Sequence, residues 1–132
     1  MKHSTYFGIF LGFALLVAGM TVSPGDTTSS KVTQKAKALV TFIELGSDKC
    51  VPCIMMRPVM EEIRKQYGDQ VQIIFYDVWT EEGQPYARQY RIRAIPTQVF
   101  LDAKGEEYFR HEGYFPAEQV GEVLSRKGAI KQ

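Results

Sequence analysis

The sequence predicts an α/β domain with a mixed four-stranded sheet between helices, and three observations predict it. Apolar runs and helical stripes follow one another as strand, helix, strand, helix, strand, strand, helix. The first strand–helix–strand set is long enough for a crossover between parallel strands, and the later pair of strands is joined by a short Gly-containing turn. The last amphipathic stretch is placed to cover the sheet. The 132 residues allow one domain and a leader, and 45 % hydrophobic with 12 % aromatic residues supply a core and argue against disorder.

Residues 1–22 read as a signal peptide or an N-terminal membrane anchor. After Lys2 and His3, the fifteen residues Tyr6–Met20 carry no charge. That length fits a signal-peptide core and falls short of the ~20 residues of a membrane span. Val17-Ala18-Gly19 offers small residues for cleavage. Residues 23–37 are rich in Ser, Thr and Lys behind Pro24-Gly25 and read as a polar linker, with a short helix within Lys31–Lys37. The folded domain is placed at residues 38–132. The formal charge of +1 comes without a Lys/Arg cluster, so nucleic-acid binding has no electrostatic footprint.

Within the domain, Leu39–Leu45 is β-branched and apolar, a buried strand interrupted by one acid, Glu44. Ile54–Tyr67 has helical spacing, with Val59, Ile63 and Tyr67 on one stripe, Glu61, Glu62, Arg64 and Lys65 in water, and Pro58 expected to kink it. Its methionines are assigned to core packing. Gly68-Asp69 closes the helix, and Val71–Val78 is a second, largely buried strand. A short helix is expected over Pro85–Tyr90, then strands Gln98–Asp102 and Glu106–Arg110 around Lys104-Gly105. Gly113 ends the hairpin, and Pro116–Arg126 is a last helix with Val120, Val123 and Leu124 inward. Tyr76 and Trp79 are placed against the sheet edge.

The chemistry lies between the first strand and the first helix, where Cys50-Val51-Pro52-Cys53 contains both cysteines of the chain. A Cys-x-x-Cys at such a junction is the arrangement expected of a redox dithiol. First-turn N–H groups and the positive end of the helix dipole stabilise a thiolate at Cys50. Pro52 suits the first turn, where a missing N–H costs nothing. A zinc site needs two further ligands, and only His3 and His111 remain beside the cysteines as histidine or cysteine donors. A structural staple is the plainer alternative, but a bridge across so short a segment removes little unfolded-state entropy.

Taken together, Cys50-Val51-Pro52-Cys53, Pro58, Ile95-Pro96-Thr97, the Lys104-Gly105 turn and Gly113 resemble a thioredoxin-fold thiol–disulfide oxidoreductase over about Leu39–Lys127. Glu44, six residues before Cys50, falls where thioredoxins carry a buried acid. The resemblance implies a thioredoxin-like fold and a cis Ile95–Pro96 peptide beside the disulfide. It implies a substrate surface made of Ile95, Pro96, Thr97, Val51 and Pro52, on which a partner segment adds by strand pairing. It implies Cys50 as the exposed nucleophile, Cys53 as the resolving thiol and Glu44 as acceptor of the Cys53 proton. No cofactor is expected beyond the Cys50–Cys53 disulfide. This sequence departs from the family in Lys49 where Trp is usual, in Val51 where Gly is usual, and in Glu44 where Asp is usual.

Lys49 is expected to favour the Cys50 thiolate and Asp48 to oppose it, with little net effect on an exposed loop. The Val51-Pro52 dipeptide supplies no donor of the kind that makes strong oxidants, so the couple is expected toward the reducing end of roughly −270 to −180 mV. With the leader, this reads as an exported monomeric reductant of protein disulfides in an extracytoplasmic compartment, the bacterial periplasm. Its electrons would come from a membrane thiol transporter, and misbridged proteins or apocytochrome c cysteines would be its acceptors. The competing readings are a disulfide oxidase or isomerase, a Cu(I)-handling module with Met55, Met56 and His111 as added support, and an adaptor with an inert disulfide.

Overall fold

A central strand buried on both faces organises the molecule. The computed structural model describes residues 37–132, so the expected leader and, save for Lys37, the linker lie outside the described residues. Strand β1 (Val40–Gly46) pairs in parallel with β2 (Val71–Asp77) and antiparallel with β3 (Thr97–Asp102), which forms a hairpin with β4 (Glu107–Glu112). The sheet order is β2-β1-β3-β4. Helix α1 (Val51–Tyr67) makes the crossover from β1 to β2, α2 (Gln84–Gln89) precedes β3, and α3 (Ala117–Ser125) follows β4. Among the described residues no helix is long and apolar enough to cross a membrane.

Alternation along β1 sends Val40 and Phe42 to one face and Ile43 and Leu45 to the other. The first face packs on α1 and α3 through Met56, Val59, Ile63, Val120 and Leu124. Phe100 stacks on Phe42 at 4.8 Å between ring centroids and meets Tyr108, Phe109 and Phe115 edge-on or tilted. The second face gathers Val99 with Tyr86, Ala87, Ile92 and Ile95 around α2. Each fully buried side chain of this kind contributes about 1.5–3 kcal/mol. Both faces of β1 are covered, which explains its nearly continuous apolar run.

Helix α1 starts at Val51, with Pro52 in its first turn as expected, and stays helical through Pro58, which withdraws an N–H from the ladder. The structure departs from the sequence expectations in four places. Strand β2 is the edge strand among the described residues, so Gln72 and Phe75 are exposed rather than buried. Met55 is 48 % exposed on the stripe of Val51, whereas Met56 and Met60 fill the core as expected. Tyr76 stacks on Tyr86, but Trp79, beyond the end of β2, stands 60 % exposed. Strand β4 runs on to Glu112 and stops where Gly113 turns at φ 97°, a value that favours glycine.

Candidate active site

Cys50 is the N-cap of α1, with extended backbone (φ −104°, ψ 118°), and Cys53 lies in the first turn. The two form a disulfide with their Cα atoms 5.2 Å apart. Cys50 is half-buried while Cys53 is 2 % exposed. The asymmetry follows from helix geometry, because the residue three on from the cap points down onto the sheet. No acidic side chain stands in the first turn of this 17-residue helix, so nothing in that turn offsets its positive end at Cys50.

The loop before Cys50 is held by Asp77 at the end of β2. Its Oδ2 accepts from the Asp48 N–H (3.1 Å) and the Ser47 hydroxyl (3.4 Å), and its Oδ1 from the Trp79 N–H (3.0 Å). Desolvation works to raise the Asp77 carboxyl, but these donors and the Lys49 charge outweigh it and hold it below the usual carboxylate range. Lys49 thus acts on Asp77, and the Asp48 carboxylate is taken up in a surface ion pair with Arg57.

Beneath the disulfide the sheet presents Gly46 and Glu44, two residues apart and hence on one face. A Cβ on Gly46 would lie 3.1 Å from Cys53 Cβ and 3.2 Å from its Sγ, so a side chain there would push Cys53 away by a few tenths of an ångström. Gly46→Ala is expected to destabilise the disulfide form by about 1–3 kcal/mol through overpacking. Chemical unfolding measures it, and an unchanged midpoint would contradict the contact.

Glu44 is fully buried (0 % exposed), so it is not an edge residue reaching water. Burial raises its carboxyl to about 8, with Gln98 countering part of that rise. Neither carboxylate oxygen has a hydrogen-bond partner among the described residues.

The Ile95–Pro96 peptide is cis, as the resemblance implies. In the β1–β3 register Leu45 faces Thr97, so the peptide before Thr97 lies at the end of β1 where Gly46 packs on Cys53. The Thr97 hydroxyl donates to Ala94 O (2.7 Å), and the Gly113 N–H donates to Pro96 O (2.7 Å). Val51 and Pro52 face solvent, and Ile95 is half-buried against the second core. Among the described residues no group of three or more His, Cys, Asp or Glu is placed to hold a metal, and His111 stacks on Phe115 at 4.2 Å.

Comparison with known proteins agrees with this geometry. The family model described as a thioredoxin-like domain matches residues 26–127. The chain belongs to the thioredoxin family. Thioredoxin of Bacillus subtilis is 35 % identical over 105 residues, covering 80 % of this chain and 95 % of that protein. Thioredoxin of Staphylococcus epidermidis is 33 % identical over 100 residues, 75 % of this chain and 92 % of that one. Among solved structures, a thioredoxin variant from Halobacterium salinarum superposes with a TM-score of 0.62 at 26 % identity, covering 70 % of this chain and 78 % of its own. Chloroplastic thioredoxin z gives 0.61 at 21 % identity, covering 70 % and 80 %. As a thioredoxin-family protein carrying the Cys50–Cys53 pair, the chain is a thiol–disulfide oxidoreductase.

Two residues of this thioredoxin site are not singled out by the sequence alone. Asp77 sits where β2 ends beside the Cys loop, a position that a strand ending in an acid before a turn signals only weakly. Gln98 is fully buried next to Glu44, and a polar residue leading the run Val99–Leu101 is the available sign.

Proposed function

We propose that this protein is an extracytoplasmic reductant of protein disulfides. The observation that carries the dithiol chemistry is the asymmetry of the pair, with one sulfur at the helix mouth and its neighbour packed on Gly46 above a buried acid. In the reduced protein the Cys50 thiolate attacks a partner disulfide. A mixed disulfide forms, and one partner sulfur leaves as a thiolate that takes a proton from water. Ionised Glu44 then accepts the proton of Cys53. The Cys53 thiolate attacks Cys50 Sγ, forming the internal disulfide and releasing the second partner sulfur as a thiolate that takes a proton from water. The partner has gained two electrons, and a donor dithiol, read here as a membrane thiol transporter, returns two to the Cys50–Cys53 pair.

Export is supported by the uncharged run Tyr6–Met20, and the reducing direction by the absence of a donor side chain in Val51-Pro52. Val51, Pro52 and the half-buried Ile95 supply the surface for an extended partner segment, while Pro96 and Thr97 are buried and contribute through the course of the backbone rather than through their side chains. The test is trapping in the native compartment. Cys53→Ala is expected to accumulate mixed disulfides through Cys50 with proteins that can then be identified, and an empty gel overturns the redox reading. Equilibration with glutathione tests direction. A potential near ~−120 mV would make the protein an oxidant instead.

A further inference from the structure

On the sheet face that carries α1, one row of side chains crosses all four strands. Register places Phe75 of β2 beside Glu44 of β1, Glu44 beside Gln98 of β3, and Gln98 beside His111 of β4. Alternation confirms the shared face, because Phe42, Phe100 and Phe109, each two residues away from a member of the row, belong to the core under α1 and α3. Glu44 and Gln98 are both 0 % exposed. Both oxygens of Glu44 and Oε1 of Gln98 have no hydrogen-bond partner among the described residues. Polar atoms buried this deeply are nearly always bonded. The polar side chain beside Glu44 in the register is Gln98.

We propose that Gln98 is a positioning residue for Glu44: its amide bonds the carboxyl in both protonation states and keeps it directed at Cys53. A primary amide is suited to this because it holds an acceptor and two donors in one plane. The neutral acid donates its O–H to Gln98 Oε1, and the carboxylate accepts the second N–H of Nε2. The first N–H is already spent on Gly113 O (3.1 Å), which fixes the amide in place. Gly113 in turn donates to Pro96 O, so Gln98 links the buried acid to the turn that holds the proposed substrate loop. Gln98 already counters part of the effect of burial on Glu44, and the bond joins Gln98 Oε1 and the Glu44 oxygens, the atoms otherwise left without partners. Bonds to an ionised acceptor are about twice as strong as neutral ones, so the net action of Gln98 favours the charged acid.

Among the described residues, other titratable groups around Glu44 are few. Helix α1 presents Cys53, which does not titrate in the disulfide, β4 presents His111 beyond Gln98, and α3 adds the apolar Val120, Val123 and Leu124. Beyond Phe75 on the β2 side, Asp48, Arg57, Glu61 and Arg64 line a surface groove. His111 itself is turned to the Tyr114 carbonyl, to which Nε2–H donates at 3.2 Å.

The functional half of the proposal rests on Glu44 as proton acceptor, and the experiment separates the two. On the full chain in the disulfide form, NMR follows the Glu44 carboxyl carbon and the Gln98 side-chain amide through a pH titration. Both are expected to move with one midpoint, and the Gln98 response should vanish in Glu44→Gln and persist in His111→Gln. A flat Gln98 amide, or a response that vanishes with His111→Gln instead, overturns the proposal. Gln98→Met, of similar length without the amide, should raise the Glu44 midpoint. It should also slow the Cys53 step at pH 7 about three- to tenfold while leaving alkylation of reduced Cys50 at its wild-type rate. A folded Gln98→Met protein with an unmoved Glu44 midpoint overturns it as well. If that variant does not fold, the wild-type titration decides. Failure to trap any partner through Cys50 would remove the redox reading and leave the titration result standing.

Discussion

Cys50→Ser is expected to lower catalysed reduction of insulin disulfides by dithiothreitol roughly 10³-fold or more, to the rate of the solution thiol alone. A serine hydroxyl is not ionised near neutral pH, and the thiolate is the attacking species. Cys53 cannot substitute as the entry point, since it is 2 % exposed and its Cβ and Sγ lie against Gly46. Cys53→Ser gives a different failure. Cys50 keeps its place at the positive end of α1 and still attacks, but the mixed disulfide has no internal thiol to resolve it. Turnover falls while a single round of capture remains. Turnover by Cys50→Ser within tenfold of wild type would show that the order of the two sulfurs is reversed, and with it the argument from exposure.

Much of that asymmetry is legible in the chain. The switch from the nearly continuous apolar run Leu39–Leu45 to the helical stripe of Val59, Ile63 and Tyr67 places the Cys pair at a strand–helix junction. All three stripe residues are buried, as are Val120, Val123 and Leu124 of α3. What the chain withholds is what depends on strand neighbours. The composition of Val71–Val78 suits a buried strand, and only the sheet order makes it, among the described residues, an edge that exposes Phe75. Gln98 reads as an ordinary strand residue until the register sets it beside Glu44. Asp77 is likewise one more turn acid until the loop after β1 folds back onto it through two donors, the Ser47 hydroxyl and the Asp48 N–H.

Glu44→Gln is expected to stabilise the disulfide form above pH 8 by roughly 3–5 kcal/mol while slowing the Cys53 step. The sign follows from linkage. Glu44 titrates at about 8 in the folded protein against 4.5 for an unburied glutamate, so the folded state holds the proton more tightly. Its stabilising preference is whole below pH 4.5, declines by about 1.4 kcal/mol per pH unit as pH rises toward 8, and is gone above that. Glutamine has nearly the same shape and no charge to desolvate, so its unfolding midpoint should lack that slope. Urea unfolding at a series of pH values from about 4.5 to 9 measures both proteins, and the disulfide form is the right one because neither cysteine titrates in it. Equal slopes for Glu44→Gln and wild type across that range would show that the carboxyl is not desolvated as the structure requires. Near neutral pH the native residue therefore destabilises the molecule, in the interior strand of the sheet, where an apolar side chain would fit the burial of its neighbours. A buried acid with that effect on stability is accounted for when its ionised fraction serves the reaction, since general bases contribute about 10²–10⁴-fold. The same substitution should thus raise the unfolding midpoint at high pH and lower the rate at which mixed disulfides resolve. A stabilised variant with an undiminished resolving rate would leave the acid with no role in the proton transfer.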